Sequence, residues 1–260
     1  MPAQKRLPRA ARPDRIAAEY LRALGPQVRA LQEILAEFVR DLEKQWPKPE
    51  PERTDNDQDI RRLVKRTADK LGKAIKAQSI VPIAAKYGEA TSDFQRAQLA
   101  KQARTAVSID LRKLSGIDRK VPQQIQRFAR ENADLITGLG GRLADDIAKV
   151  VEQGTLAGSR WETIAARLAE RGTVTESRAA LIARDQVGKL YGAVNKQRQQ
   201  NLGVTRYIWR DVGDNRVREE HEEERSGNTY SWDDPPEGGH PGEPVNCRCY
   251  ADPDFSELLG

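Results

Sequence analysis

Apolar residues recur every three or four positions along most of this chain, the period of helices that bury one stripe and leave the rest in water. Ile16, Tyr20, Leu24, Val28, Leu31, Leu35, Phe38 and Leu42 make the first stripe. Gly25-Pro26 predicts a kink or split within it, because proline lacks the donor that a continuous helix needs. Pro47, Pro49 and Pro51 then end it, and the charged stretch to about Gln58 reads as linker. Ile60, Leu63, Val64, Leu71 and Ile75 restart the period, which residues 94–114 continue after a break expected near Pro82 and Gly88. From Pro122, a good first-turn residue, Ile125, Phe128, Leu135 and Ile136 mark one helix. Leu143, Ile147, Val150 and Val151 mark the next, with Gly138, Gly140 and Gly141 providing a bend between them. Trp161, Ile164, Ala165 and Leu168 predict a short helix capped by Ser159. Thr175 caps a further helix that buries Ile182, Val187, Leu190 and Val194 and ends at Gly203.

The pattern changes at Val204. Val204-Thr205-Arg206-Tyr207-Ile208-Trp209 is short, branched and aromatic, the signature of a strand. Asp214 or Asn215 can cap a short helix from Arg216 to about Arg225, ended by Gly227. Residues 234–239 form a loop, and residues 245–250 return as a second short strand. The expected fold class is mainly α: an elongated helical array followed by a small, loop-rich α+β C-terminal domain. Its segments are a basic N-terminal tail at 1–15, a helix or helix pair at 16–46, a proline-rich linker at 47–58, helical regions at 59–120 and 121–203, and the α+β domain at 204–260.

Composition narrows the classes. Hydrophobic residues at 38% and charged residues at 32% of 260 describe long amphipathic helices with much solvated surface, not a compact enzyme with deep buried layers. The chain has no apolar run of about 18 residues and no hydrophobic signal core, so synthesis in a cytoplasm without membrane contact is expected. The net charge of +5 permits contact with nucleic acid. Glu219, Glu220, Glu222, Glu223 and Glu224 would repel it, and the basic residues crowd instead at Lys5, Arg6, Arg9, Arg12 and Arg15. That tail is either a solvated terminus or a contact to DNA or a partner.

Chemistry concentrates in the last quarter, which holds every histidine and cysteine of the chain: His221, His240, Cys247 and Cys249. Two imidazoles and two thiolates are the donor set of a closed tetrahedral zinc site, and a small unit poor in core gains from such a staple. The two sulfurs would point to opposite faces of an extended strand, so both bind only if Cys247-Arg248-Cys249 turns. In the blander reading the cysteines are small apolar core residues, His240 satisfies a carbonyl, and Asp211 pairs with Arg216 or Arg218 to tie strand to helix. Asp214 and Arg248 are then structural ions, while Trp209, Tyr230 and Trp232 form the core. In an enzyme reading Asp211, Asp214, His221 and His240 hold a catalytic cation for a hydrolase or nuclease.

The ordered set of Trp209, the run Asp214-x-Arg216-Val217-Arg218-x-x-His221, Gly227, His240-Pro241-Gly242 and Asn246-Cys247-Arg248-Cys249 resembles the C-terminal signature of phage Mu F-like minor head, or head morphogenesis, proteins. Residues 128–136, and 179–191 with Ile182-Ala183-Arg184-Asp185-Gln186, are similar to the helical part of that family. The resemblance covers roughly residues 120–253. It implies a virion component of a tailed phage or prophage, placed at or near the portal vertex and needed for head assembly or genome delivery. Portal and capsid proteins are then the implied partners.

Overall fold

The computed structural model describes residues 7, 8, 10–46, 56–214 and 217–258. The stretch 47–55 of the expected linker, the tail residues Lys5, Arg6 and Arg9, and Asn215 and Arg216 of the signature lie outside the described residues. The elements run α1 (Asp14–Ala23), α2 (Gly25–Gln45), α3 (Asn56–Ala74), α4 (Ala77–Val107), α5 (Val121–Leu156), α6 (Trp161–Asn201), β1 (Arg206–Asp211), β2 (Thr229–Ser231) and β3 (Cys249–Pro253). A helical array followed by a small antiparallel sheet is the expected class. The split at Gly25-Pro26 is present: α2 starts there, with the proline in its first turn.

Three expected breaks are absent. α4 runs through Pro82 and Gly88, α5 through Gly138, Gly140 and Gly141, and α6 from Trp161 past Thr175. Pro82 falls within the first two turns of α4, where it forfeits a single intrahelical bond. Gly88 and Gly140 are close-approach positions. A Cβ on Gly88 would lie 3.0 Å from Ile125 and 3.2 Å from Phe128, and one on Gly140 would run into the carbonyl oxygen of Leu71. Thr175 does not cap; its hydroxyl donates to the Arg171 carbonyl one turn back, 2.9 Å away. Nor does Ser159 start α6, whose first turn hangs from the Arg160 carbonyl.

The chain divides into two compact units. One comprises residues 21–83 and 131–182. Here α3 packs on α2, and Leu31, Leu35, Leu71, Ile147, Ile164 and Leu168 are buried. The Trp46 indole N–H donates to the Ser159 carbonyl at 3.1 Å, which seals the turn between α5 and α6.

The other unit joins residues 1–20, 84–130 and 183–260, so the segment 204–260 shares one core with parts of α4, α5 and α6. β1 is the central strand, antiparallel to β2 and β3. β3 begins at Cys249, four residues later than expected, because Asn246 adopts a left-handed turn (φ 57°) just before it. Leu99, Ala103, Leu111, Ile117, Val204 and Phe255 form one apolar cluster of this unit. Arg198, 2% exposed, donates to the Ser92 carbonyl and Gln95 at 2.6 Å and to Ser92 Oγ and Asp118 at 2.8 Å. Asn195 and Gln199, on the same helix, donate to the Ala251 carbonyl at 2.8 and 3.0 Å. That carbonyl belongs to an edge strand, and the two amides satisfy it.

Candidate metal centre

Alternation along β1 sends Tyr207, Trp209 and Asp211 to one face, opposite Pro253, Ala251 and Cys249 of β3. Tyr207, Trp209, Trp232, Cys247, Cys249 and Ala251 form one buried cluster on that face. One wide helical turn, Glu220–Arg225, lays His221 edge-on against the Trp209 ring at 5.2 Å. The helix expected from Arg216 is thus only this turn, and Gly227 (φ 88°) ends it as expected. Asp214 does not cap it.

His221, Cys247 and Cys249 are all buried, and their ligand atoms lie within 4.8 Å of one another. His221 Nδ1 stands 3.8 Å from the Cys247 sulfur and 3.4 Å from the Cys249 sulfur. A tetrahedral zinc with bonds of about 2.3 Å to sulfur and about 2.0 Å to nitrogen separates nitrogen from sulfur by about 3.5 Å. The three residues therefore already stand at coordination spacing. Glu220 reaches His221 Nε2 at 3.4 Å; a carboxylate on the far nitrogen orients the near one as a ligand.

The sulfurs converge because Cys247 sits in the turn and Cys249 on the strand, so strand alternation does not separate them. Hydrogen bonds from the Cys249 thiol and from the backbone N–H groups of Gly242 and Cys249 outweigh burial and hold the Cys247 thiol down at about 5. The same sharing, with burial, pushes Cys249 up. A cation bound by both sulfurs as thiolates would displace the proton of the bond between them. Trp209 adds its indole N–H, which among the described residues has no partner of hydrogen-bonding geometry and lies near enough to the Cys249 sulfur to favour its thiolate.

His240 does not join this group. Its Nδ1 is 2.9 Å from the Tyr207 hydroxyl, its backbone N–H donates to Glu243 at 2.8 Å, and its ring lies tilted against Trp232 with centroids 5.0 Å apart. Burial and Lys196 hold its pKa below the usual imidazole value. Of the four residues expected together, His221, Cys247 and Cys249 converge and His240 stands apart.

The remaining signature residues build the scaffold. Asp211 accepts the Gly213 N–H at 2.5 Å. Asp214 pairs with Arg248 through both guanidinium branches, Nε at 2.8 Å. Arg218 donates to the Val245 carbonyl at 2.9 Å. Asp211 thus engages Gly213, Asp214 engages Arg248, and Arg218 engages a carbonyl; of the two expected partners of Asp211, Arg216 lies outside the described residues. Gly242 (φ 93°) lies against Gly188 and Gly192 of α6, where a Cβ on Gly192 would meet the Pro241 carbonyl oxygen at 2.8 Å.

Two contributors were not assigned to this site from the sequence. Asp185, in the helical part of the resemblance, accepts the Asn246 N–H at 2.7 Å, so segments 61 residues apart meet at the cysteine turn. Arg12, expected in a tail, donates to the Cys247 carbonyl at 2.8 Å, and nearby Ala10 is buried against Tyr191 and Tyr250. The glycine pair at helical spacing, Gly188 and Gly192, was the available signal for a close approach on α6; nothing local marks Arg12.

With this geometry in hand, the comparisons are specific. Residues 145–251 match the family model of phage Mu protein F like protein. The expected resemblance is borne out over that segment, which contains the three candidate ligands, Asp185 and the Gly188 and Gly192 pair. An uncharacterized protein of Haemophilus influenzae is 30% identical over 193 residues, covering 68% of this chain and 43% of that protein. The chain thus spans less than half the length of that relative. No solved structure matches.

Proposed function

We propose that this chain is a minor head protein of a tailed phage or prophage, acting in head assembly or genome delivery beside portal or capsid protein. Its C-terminal sheet is stapled by a structural zinc on His221, Cys247 and Cys249. The carrying observation is how the Mu F-like signature is used. Where the residues are described, Trp209, Asp211, Asp214, Arg218, Gly242, Asn246 and Arg248 engage one another, backbone groups or the cysteine turn. A signature spent on architecture supports a structural role.

The hydrolase or nuclease alternative draws no comparable support. Asp211, Asp214, His221 and His240 serve four different contacts, and among the described residues the ligand group is His221, Cys247 and Cys249. A shallow depression lined by Glu170, Thr173, Val174, Ser177, Arg178 and Leu181 lies on α6, and none of these residues belongs to the signature. Among the described residues no helix is long and apolar enough to cross a membrane. The virion, after synthesis in the host cytoplasm, is the location that follows from this role. DNA contact through the tail is left to Lys5, Arg6 and Arg9, since Arg12 is engaged and Arg15 pairs with Glu19 at 3.3 Å.

Co-expression with the portal and capsid proteins of the same element tests the reading. The chain should co-sediment with portal oligomers or procapsids at moderate salt. Sedimentation as a free monomer in the presence of both would overturn it.

A further inference from the structure

We infer that the exposed face of α3 is a docking surface for double-stranded DNA, held through its phosphate backbone without reading its sequence. α3 belongs to the unit of residues 21–83 and 131–182, which contains none of His221, Cys247 and Cys249.

α3 packs on α2 and buries Ile60, Leu63, Thr67, Leu71 and Ile75, one residue every three or four. The rest of its surface is cationic. From residue 60 to residue 76 the chain carries seven basic residues and one acid, Asp69, and all eight are exposed. That local excess is larger than the net charge of the whole chain, +5, so the remainder of the protein is close to neutral. Asp59 takes Arg62 at 3.2 Å and Glu37 takes Lys70 at 2.6 Å, both in solvent, where such pairs hold little energy. Lys65, Arg66, Lys73 and Lys76 stand in no ion pair among the described residues. Arg62, Arg66 and Lys73 share one line along the helix, with Lys65 and Lys76 beside it. From Arg62 to Lys73 that line is about 16 Å long at about 1.5 Å per residue, and a duplex presents about ten phosphates over the same length.

What the face lacks selects the partner. Between residues 60 and 76 no aromatic or large apolar side chain is exposed. Protein interfaces are anchored by such groups and depleted in lysine. A helix that lies on a membrane inserts an apolar side, and the apolar side of α3 is buried within its own unit. A single strand would find no ring on which to stack its bases. Cations with no amide, hydroxyl or ring among them fit phosphates, which position a duplex and carry no sequence information.

The test uses the full chain and a fluorescent mixed-sequence DNA duplex, with affinity read by anisotropy between about 50 and 200 mM salt. About four phosphate contacts should weaken binding by roughly 100-fold over that range. Lys65→Gln, Arg66→Gln, Lys73→Gln and Lys76→Gln together keep good helix formers on an exposed face. They should remove most of the salt dependence and weaken binding at about 50 mM salt by at least about tenfold. Asp69→Asn deletes the one repelling charge and should tighten binding by about two- to threefold. Lys5→Gln, Arg6→Gln and Arg9→Gln together should cost less than the α3 changes, which separates α3 from the N-terminal tail. Thermal melts confirm that each variant is folded. If the fourfold variant misfolds, Lys73→Gln alone decides, with the slope of log affinity against log salt reduced by about one. A wild-type chain that ignores the duplex at about 50 mM salt, α3 variants with wild-type salt dependence, or weaker binding in Asp69→Asn would each overturn the assignment. Binding to polyglutamate as tight as to the duplex would overturn it in favour of an acidic protein partner.

Discussion

Replacing Arg198 by methionine should be among the most damaging single changes in the unit that carries the cysteine turn. Methionine keeps much of the volume and removes every donor. Gln95, 1% exposed, and Ser92, 4% exposed, then lose the guanidinium that satisfies them. A buried acceptor left without a donor costs about 1–3 kcal/mol. Asp118 is 36% exposed at its side chain, so its pairing is discounted to the surface value of about 1 kcal/mol or less. The sum is roughly 2–7 kcal/mol. At about 2–4 °C per kcal/mol the melting transition should fall by about 10 °C. Asp118→Asn is the internal control: Arg198 keeps its neutral acceptors, and the loss should be about 1 kcal/mol. Urea unfolding of both variants, followed by far-UV circular dichroism, measures the difference. An Arg198→Met protein within about 1 kcal/mol of wild type would refute the reasoning, as would equal damage from both changes.

Other consequences are as direct. Gly140→Ala should destabilise by about 1–3 kcal/mol, since the added methyl meets the Leu71 carbonyl and α3 must shift; a neutral denaturation midpoint would contradict the close approach. Removing residues 1–12 deletes the bond from Arg12 to the Cys247 carbonyl and the buried Ala10, and should loosen the cysteine turn, read as faster thiol labelling by a maleimide; unchanged labelling would count against the contact. Removing residues 1–120 takes away α4 and should leave residues 121–260 without a cooperative melt, because that unit includes residues 84–130. Asp214→Asn weakens a partly exposed pair with Arg248 by up to about 1 kcal/mol and should leave phage yield intact; a folded but non-productive variant would favour catalysis at this position.

Much of this architecture was legible in the spacing of apolar residues. The stripe from Tyr20 to Leu42 is buried as read, the split at Gly25-Pro26 is real, and Gly203 (φ 80°) ends α6. The missed features share a cause: local propensity cannot see what lies across the core. Gly88 and Gly140 look like breaks and are in fact places where another helix comes close. Thr175 looks like a cap and is neutral inside a long helix whose packing outweighs its weak preference. At the site, residue type identified His221, Cys247 and Cys249, and only the turn at Asn246 shows how the two sulfurs reach one point. His240 was grouped with them by scarcity, but the Tyr207 hydroxyl and the Trp232 ring claim it. Arg12 could not be placed at all, since its partner lies 235 residues away.

The central claim, that the chain is a structural part of a phage head, is tested most directly by the protein content of purified particles. The element should be induced with and without a stop codon early in this gene, and DNA-filled heads should be banded and their proteins quantified by mass spectrometry. The chain should be present in the wild-type heads, and its loss should reduce the number of filled or infectious particles. Heads that lack the chain and form in equal number and infectivity without it would contradict the account.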